Sequence, residues 1–449
     1  MEYIIGVLLI ISFFALAVYA VKGGNLMMGM LVMAVVWTIL PLIGNALVTN
    51  PEFIEANASV VKISVVDALT NVFQGGPEGW GSVLVNVIFG SLFGRVLLET
   101  GIASTMIRKT VELGGDRPTV ICILVSIVTT AMFSSMYGAG AVVAIGVIIL
   151  PILISLGIPK AVAAVSFMLS IGAGMFINPV QFSIVSAFFQ DEDGKALYHY
   201  DDTFVRWGVT ILAVQLIVTI IMILFTMRKQ KVAHAWSVDH PDKQKDLFVP
   251  GKALISPFIP VLLLIIFDVP IILGFLIGSF YALAVCGRLK NFKVTCRVLN
   301  KTFYDGVVDI APLVGFLLIV PMFNKASALC VPYFNALLGG VIPQNTLVIS
   351  IAFALLSPLG LFRGPLTMFG CGAATLGILT GIGFPVSYIF PLIFISSTVM
   401  NVSCCVTQSW IVWGINYTKV SAKDFLKLSV PTGWIICIIA QAITYVMFG

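Results

Sequence analysis

One arginine of this sequence lies near the middle of a long apolar stretch, where a charged side chain is costly. Arg363 belongs to segment 357–367, which reads SPLGLFRGPLT, and no acidic residue occurs in 344–381. A charge far from either bilayer surface marks by default a site with a partner. A guanidinium suits two-point binding of a carboxylate or a phosphate. The segment therefore predicts an anion-binding site at Arg363, with Gly364 and Thr367 beside it.

Two carboxylates offer Arg363 a structural partner, which is the alternative to an anion site; a different membrane topology is the third interpretation. Asp305 and Asp309 share one face of an apolar helix, and Asp309 lies one turn deeper. A buried carboxylate can take up and release a proton. Asp309 is therefore the candidate for proton coupling, unless its helix is only scaffold. Arg95 and Glu99 are four residues apart on another helix, and this spacing predicts that they pair with each other.

A polar, glycine-rich turn interrupts a second apolar stretch. Segment 133–140 reads FSSMYGAG. In hydrocarbon, non-helical backbone is tolerated only where it is buried in protein or lines a wet cavity, so this turn predicts part of a binding site. The alternative is that its small residues permit close helix packing. The candidate binding residues here are Ser134, Ser135, Tyr137 and Gly138.

Two further apolar helices contain polar breaks. Segment 172–181 reads GAGMFINPVQ, in which Pro179 removes a backbone donor; the alternative to a binding role is a plain proline kink. Segment 396–409 reads SSTVMNVSCCVTQS, and this density of hydroxyl and amide groups predicts a wet helix face. A single Ser or Thr often bonds back to its own helix, so only the cluster argues for binding. The candidates are Asn178, Asn401, Thr407 and Gln408.

The composition is that of a membrane protein. Of 449 residues, 59% are hydrophobic and 10% are charged, and the mean hydropathy is +1.08. Apolar runs of about 18 to 25 residues recur along the chain, and each is long enough to cross the bilayer as a helix. We therefore expect an all-α polytopic protein of the cell (inner) membrane, and we exclude a stack of soluble domains.

Several function classes are not expected. The net charge of +5 comes from basic residues in short loops without interleaved aromatics, which argues against nucleic-acid binding. The eight cysteines form no CxxC pair, and the three histidines lie in loops. We therefore predict no metal site, no cofactor and no enzymatic activity.

Apolar runs predict ten spanning helices and two longer stretches. The longer stretches, 118–156 and 344–381, are interrupted near their middle by Gly, Ser or Pro, and two of the spans, 161–189 and 384–414, contain the polar breaks. The predicted spans are 2–21, 25–47, 80–98, 161–189, 203–227, 253–269, 271–287, 303–323, 384–414 and 428–448.

Loop charges predict the orientation, because cytoplasmic loops carry an excess of Lys and Arg. Most loop cations fall at Lys22, 108–117, Lys160, 228–252, 288–301 and 419–427, whereas the loops 52–78 and 191–202 are acidic. Both chain termini are then predicted outside. Stretch 118–156 starts and ends beside cytoplasmic loops, so it is predicted to be a re-entrant hairpin. Stretch 344–381 is predicted to be the mirror hairpin, entering from outside.

The two halves then match as inverted repeats, an architecture typical of secondary transporters. Residues 1–227 form the first repeat, 228–252 a cytoplasmic linker, and 253–449 the second repeat; each repeat has five spanning helices and one hairpin. The spacing agrees with this division. Ser134 and Asn178 are 44 residues apart, as are Arg363 and Thr407.

The tip Ser134-Ser135, the run 146–160 ending in LGIPK, and the mirrored turn Arg363-Gly364-Pro365 resemble the ion transporter superfamily. Within it, the chain is most similar to the gluconate:proton symporter and citrate symporter branches. The resemblance covers the whole chain in layout. It implies an elevator-type carrier, a homodimer with a scaffold domain and a mobile transport domain made of hairpins and broken helices. Substrate would lie between the two hairpin tips.

The hairpin tips depart from the sodium-coupled dicarboxylate branch of that superfamily, in which each tip carries a Ser-Asn-Thr triplet. Here the first tip reads SSM, and the second reads RGP with Thr367 beyond. These departures favour a site in which a fixed cation replaces a bound one. They argue against sodium coupling and against dicarboxylate specificity.

The sequence thus predicts secondary active transport of a small organic anion, such as a sugar acid, a hydroxy-acid or another carboxylate. Proton-coupled symport is the expected mechanism. The alternatives are sodium-coupled carboxylate symport and cation/proton antiport. The antiport alternative needs intramembrane carboxylates, and neither the hairpins nor the broken helices contain one.

Overall fold

A computed structural model describes residues 1–22, 24–190, 196–228, 249–339, 344–381 and 383–449. Within these ranges the chain consists of helices and turns, with an isolated β-bridge between Gln190 and Ala196. Residues 229–248 of the predicted linker lie outside the described residues. So do Asp191, Glu192 and Asp193 of one predicted outer loop.

Thirteen α-helices precede the linker. Their bounds are α1 Glu2–Val21, α2 Leu26–Leu47, α3 Pro51–Ala56, α4 Ala58–Val61, α5 Val65–Phe73, α6 Gly75–Gly79, α7 Gly81–Glu99, α8 Ile102–Gly114, α9 Pro118–Phe133, α10 Ala139–Ser155, α11 Lys160–Met175, α12 Pro179–Ser186 and α13 Asp202–Arg228.

After the linker, eight α-helices, two 3₁₀ segments and one π-helical segment follow. Their bounds are the 3₁₀ segment Gly251–Phe258, α14 Ile259–Phe267, α15 Ile271–Val285, α16 Phe292–Leu338, α17 Thr346–Leu356, the 3₁₀ segment Ser357–Arg363, α18 Gly372–Gly381, α19 Val386–Ser396, the π segment Ser397–Cys404, α20 Ser409–Thr418 and α21 Ala422–Phe448.

Eight helical segments of the described residues are long and apolar enough to cross a bilayer. They include α1, α2, α7, α13 and α21, whose bounds lie within a few residues of the predicted spans except at the start of α21. The prediction of an all-α, multi-pass membrane protein is confirmed.

The predicted broken helix 161–189 is interrupted where the sequence indicates. Helices α11 and α12 meet at an angle of 70°. Pro179 is the first residue of α12, and Asn178 caps that helix through its side chain. In the second half, the predicted helix 384–414 continues from α19 into the π segment and breaks before α20.

Both predicted hairpins are two helices joined by a polar turn. In the first, α9 and α10 flank residues 134–138; in the second, α17 and α18 flank a 3₁₀ segment and the turn that follows it. Their re-entry into the membrane and the inverted repeats stay predictions.

Two predicted spans, 253–269 and 271–287, are shorter than a full crossing. The structure has helical segments 251–267 and 271–285 there. They lie side by side and antiparallel, since the Tyr281 hydroxyl donates to the Lys252 carbonyl oxygen (3.0 Å) and Gly274 packs on Pro260. The break follows from Asp268, which adopts a left-handed conformation two residues before Pro270.

The predicted span 303–323 is the middle of a much longer helix. Helix α16 has 47 residues, about 70 Å at 1.5 Å per residue. The polar residues Asn324 and Lys325 end the apolar run but not the helix, so hydropathy placed the boundary wrongly. Helix α16 packs against α1, α2 and α7.

Several short helices were not predicted. Helices α3 to α6 occupy the predicted acidic loop 52–78, and α8 follows α7. Helix α8 packs against α9, which forms the first arm of the first predicted hairpin.

The most deeply buried elements are the broken helices. Helix α11 is buried along most of its length, and the π segment Ser397–Cys404 is buried throughout. These two elements pack against each other, and Gln181 of α12 donates to the Thr398 hydroxyl (3.5 Å). The two breaks therefore share one core, and this core positions both hairpin turns.

Candidate functional site

A cavity of about 540 Å³ lies where the two hairpin turns and the second broken helix meet, and we call it the central cavity. Its volume is in the range of small-molecule sites. It is lined by Gly24, Asn25, Leu26, Met27, Tyr137, Gly138, Ala139, Asp309, Ile310, Pro312, Leu313, Phe316, Arg363, Phe369, Thr407, Gln408, Ser409 and Trp410.

Six of the twelve predicted site and coupling residues line this cavity. They come from segments that are far apart in sequence, and they are Tyr137, Gly138, Asp309, Arg363, Thr407 and Gln408. The cavity therefore lies between the two predicted hairpin tips, where the family resemblance places the substrate.

Three helices begin at the central cavity. Helix α2 starts beside Asn25, α10 beside Gly138 and α20 beside Gln408. Gly138 has no side chain that could cap α10, and the Gln408 side chain makes no capping bond to α20. A helix N-terminus presents backbone N–H groups and a partial positive charge. The three N-termini therefore favour an anion in this cavity.

Arg363 is held by neutral acceptors. Its guanidinium donates to the Gln408 side-chain oxygen (2.8 Å) and to the Phe369 carbonyl oxygen (3.2 Å). Among the described residues, no carboxylate forms an ion pair with it, so Asp305 and Asp309 are not its structural partners. A partly buried cation without a counter-charge is costly. Arg363 is thus suited to bind an anion in the cavity.

The backbone at the second tip adopts a conformation that side chains rarely take. Phe362 and Arg363 have φ values of 52° and 62°, which is the left-handed region. The Phe362 N–H donates to the Cys405 sulfur (3.1 Å) and the Met368 N–H to the Ser397 hydroxyl (2.9 Å). The second broken helix therefore fixes the turn that presents Arg363.

At the first tip, Tyr137 contributes the free polar group. Its side chain is 2% exposed and lines the central cavity, and its hydroxyl makes no hydrogen bond to any described residue. A buried tyrosine hydroxyl usually has a partner. This hydroxyl can therefore serve as a donor to a ligand near Arg363.

Asn178 is buried and shapes the first tip instead of lining the cavity. Its side-chain nitrogen donates to the carbonyl oxygens of Phe133 (2.9 Å) and Met136 (3.0 Å). Its side-chain oxygen accepts from the N–H groups of Val180 and Gln181. Asn178 therefore joins the break of the first broken helix to the first hairpin turn.

The other predicted residues at the tips also bond within the protein. Ser134 donates to the Ala131 carbonyl, and Ser135 to the Pro257 carbonyl. Thr367 accepts from the Phe369 N–H (3.3 Å), and Gly364 lies buried in the second tip. None of these four lines the central cavity.

Asn401 lies in the buried π segment, away from the cavity lining. Neither of its side-chain polar atoms has a hydrogen-bond partner among the described residues, and the Gln181 side-chain oxygen is likewise unpartnered. Unpaired buried amides are rare and costly. They mark a polar region between the two broken helices.

Asp309 forms a two-point ion pair with Arg95, in which Arg95 Nε and Nη2 contact the two carboxylate oxygens. The predicted pairing of Arg95 with Glu99 is therefore wrong. Glu99 pairs with Lys301 instead (2.5 Å). Four-residue spacing made the local pair attractive, but α16 packs on α7 and supplies closer partners.

The sequence reasoning missed Asn25, Phe369 and Trp410 of the cavity lining. Asn25 caps α2 by accepting from the Met28 N–H (3.2 Å). Asparagine is a common N-cap residue, so its presence before a helix gives no sign of a binding role. Phe369 and Trp410 lie within apolar runs and carry no distinguishing signal.

Comparison with known proteins finds a similar fold in a solved structure and no related sequence. No family model and no curated protein matches the sequence. The structure is similar to that of the YdaH transporter of Alcanivorax borkumensis, with a TM-score of 0.60, over 93% of this chain and 98% of that one. The chain has the fold of a membrane transporter.

The two sequences are 11% identical, so the similarity concerns the fold and not the substrate. The prediction that the chain is not an enzyme stays a prediction. The resemblance to the gluconate:proton and citrate symporter branches stays a prediction.

Proposed function

We propose that this protein is a secondary active transporter of a small organic anion, a sugar acid, hydroxy-acid or other carboxylate, and that it works by proton-coupled symport. The observation that carries the proposal is Arg363, a cation held only by neutral acceptors in a cavity at which three helices begin. The transporter fold supports the general class.

The central cavity suits a carboxylate better than a cation. Arg363 and the three helix N-termini supply positive potential, and the Tyr137 hydroxyl supplies a further donor. Asp309 is the one carboxylate of the described lining, and Arg95 neutralises it. A carboxylate bound to Arg363 would gain charge-assisted hydrogen bonds, which contribute about 1.5–3 kcal/mol each.

Asp309 is the proposed proton carrier. It faces the central cavity, yet its charge is balanced by Arg95 of another helix. Protonation of Asp309 would break its ion pair with Arg95 and make the cavity wall more positive. Proton binding and anion binding would then be coupled through electrostatics.

A sodium-coupled carboxylate symporter is the second candidate, and a specific observation favours it. The side-chain oxygens of Gln181 and Asn401 lack partners where the broken helices meet. Interrupted membrane helices often supply neutral oxygens to sodium. Sodium dependence of transport therefore separates the two candidates.

We also propose that transport uses an elevator movement within a homodimer, with both chain termini outside. Helices α1, α2, α7 and α16 pack together and would form the scaffold. The hairpins and broken helices would form the mobile part, because hydrogen bonds tie each tip to its own broken helix. The loop charges support the orientation.

Uptake into proteoliposomes tests the proposal. Labelled gluconate and citrate would be offered with an imposed proton gradient, with and without sodium. Arg363→Ala should lower the uptake rate at low substrate about a hundredfold, as expected for losing roughly 3 kcal/mol of anion binding. The matched control is Arg206→Ala, because Arg206 has a 79% exposed side chain and only a long ion pair.

Two results would contradict the proposal. One is anion uptake that persists unchanged in Arg363→Ala while the control also transports. The other is sodium-driven proton flux that needs no organic anion, which would favour cation/proton antiport.

A further inference from the structure

A second, larger cavity of about 860 Å³ lies beside the central one, and we call it the side cavity. It is lined by residues of α7, α8 and α10 together with Arg288, and the proposed function does not use it. The lining residues are Arg95, Leu98, Glu99, Gly101, Ser104, Thr105, Arg108, Val111, Glu112, Ala144, Ile148, Ile152 and Arg288.

One ion pair joins the two cavities. Arg95 lines the side cavity, its partner Asp309 lines the central cavity, and the pair is bidentate. The two side chains therefore cross the wall between the cavities. Helix α10 follows the same wall, with Ala139 at the central cavity and Ile152 at the side cavity.

Asp309 is the carboxylate that accepts the hydrogen bonds of the Arg95 guanidinium. The other carboxylate on the side-cavity face of α7, Glu99, is engaged by Lys301 of α16 at 2.5 Å. Asp305 lies on the same helix as Asp309, one turn away, and also acts electrostatically on Arg95. Helix α10 packs against α7, which carries Arg95, and against α16, which carries Asp309; α10 itself has no ionisable side chain. From the central cavity, Tyr137 and Arg363 face the same region.

The Asp309 carboxylate satisfies Arg95 as the carboxylate of an organic anion would. Two-point recognition of this kind depends on a planar, charged acceptor. A proton on Asp309 neutralises that acceptor and removes most of the attraction, and it leaves the guanidinium facing the side cavity with unsatisfied donors. A ligand carboxylate can then take the same two bonds.

We propose that the side cavity is a second anion-binding site, in which Arg95 binds a carboxylate once Asp309 is protonated. This inference rests on the proposed transport of organic anions. The ionised Asp309 carboxylate and the ligand carboxylate would compete for the same Arg95 guanidinium. The exchange involves no covalent change beyond the transfer of one proton from solvent to the Asp309 carboxylate, which remains a carboxylic acid while the ligand is bound.

The test uses protection of an introduced cysteine, so it does not depend on transport. Ala144→Cys places a thiol in the side cavity. The purified full-length protein would be labelled with N-ethylmaleimide, a neutral reagent whose approach is insensitive to local charge. The probe is gluconate, compared with chloride at equal ionic strength. Protein without the introduced cysteine gives the background of the eight native thiols.

With Asp309→Asn, which mimics the protonated state, gluconate should slow labelling of the introduced cysteine at least threefold, and the effect should saturate. Adding Arg95→Gln should abolish the protection, whereas Arg95→Lys should retain part of it. Adding Arg363→Ala should leave it unchanged, because that residue belongs to the central cavity. With native Asp309, which occupies the Arg95 donors, protection should be weaker than in Asp309→Asn.

The inference is wrong if gluconate fails to protect in Asp309→Asn, or if protection survives Arg95→Gln. It is also wrong if Arg363→Ala removes the protection, since the ligand would then be in the central cavity. If Asp309→Asn does not fold, Gly140→Ala gives the same decision, because a Cβ at Gly140 overlaps the Asp309 carboxylate and displaces it from Arg95. Failure of the proposed function would be seen in a different experiment, as anion uptake that is unchanged in Arg363→Ala.

Discussion

Arg363 and Gln408 are hydrogen-bonded at 2.8 Å and lie 45 residues apart in the chain. The same separation joins Phe133 and Asn178, which are bonded at 2.9 Å in the first half. In each half, a turn between two helices is thus tied to the break of the following helix. The chemistry of the two links differs, because the second presents a charged side chain to the cavity and the first buries an amide.

Removing the Gln408 acceptor should weaken anion binding without abolishing it. In Gln408→Leu, the Arg363 guanidinium loses its shorter side-chain bond, and its orientation becomes less defined. We expect the KM for uptake to rise about tenfold, from the loss of roughly 1.5 kcal/mol of orientation. Gln74→Leu is the control, since Gln74 is exposed and its side chain bonds to Glu78 at the surface. An unchanged KM in Gln408→Leu would exclude this role.

The Tyr137 hydroxyl is expected to act on the ligand and not on the fold. Tyr137→Phe removes a group that has no hydrogen-bond partner among the described residues, so the melting temperature should not fall. Anion affinity should fall about fivefold to tenfold, which corresponds to one hydrogen bond. Tyr417→Phe serves as the control, because Tyr417 is 40% exposed. Equal affinities measured by titration calorimetry would contradict the prediction.

Asn178 is expected to matter for stability. Asn178→Ala deletes two hydrogen bonds to the first tip and two that cap α12, and it leaves buried carbonyl groups unpaired. We expect a loss of about 2–4 kcal/mol, measured as a lower melting temperature in detergent. The control is Asn345→Ala, because Asn345 is exposed and caps α17 with two bonds only. A comparable loss in both variants would show that the tip contacts contribute little.

Asn401 decides between the two coupling ions. Asn401→Leu replaces two unpaired buried polar atoms with an apolar group of similar size. If the proton is the coupling ion, the variant should be as stable as the native protein or more so, and transport should persist. Loss of sodium-stimulated uptake in this variant, with the fold intact, would instead support sodium coupling. Thermal shift with and without sodium provides the matching stability measurement.

The close approach of Asp309 to α10 gives a further test of the wall between the cavities. A Cβ at Gly140 would overlap the Asp309 carboxylate, so Gly140→Ala should displace that side chain and weaken its pairing with Arg95. We expect the uptake rate to fall at least tenfold, because the pair separates the two cavities. Gly81→Ala is the control, since a Cβ there meets open space. Full activity of Gly140→Ala would argue that the pair is not part of the transport path.

The sequence by itself determined the membrane class, most of the spanning helices and the places where helices break. These features are local: an apolar run long enough to cross the bilayer, a proline that removes a donor, a glycine-rich turn. The same reasoning selected Arg363, because a lone cation in an apolar stretch is costly wherever the rest of the chain lies. It failed at the ends of α16, where the helix continues after the hydropathy has fallen.

Only the tertiary structure decided which polar residues reach the cavity and which serve the fold. Asn178 and Tyr137 both lie at breaks. The Asn178 side chain makes four hydrogen bonds within the protein, whereas the Tyr137 side chain lines the central cavity. Arg95 and Asp309 are 214 residues apart, and no local spacing rule relates them. Their pairing depends on how α7 packs against α16, and this packing is a property of the whole chain.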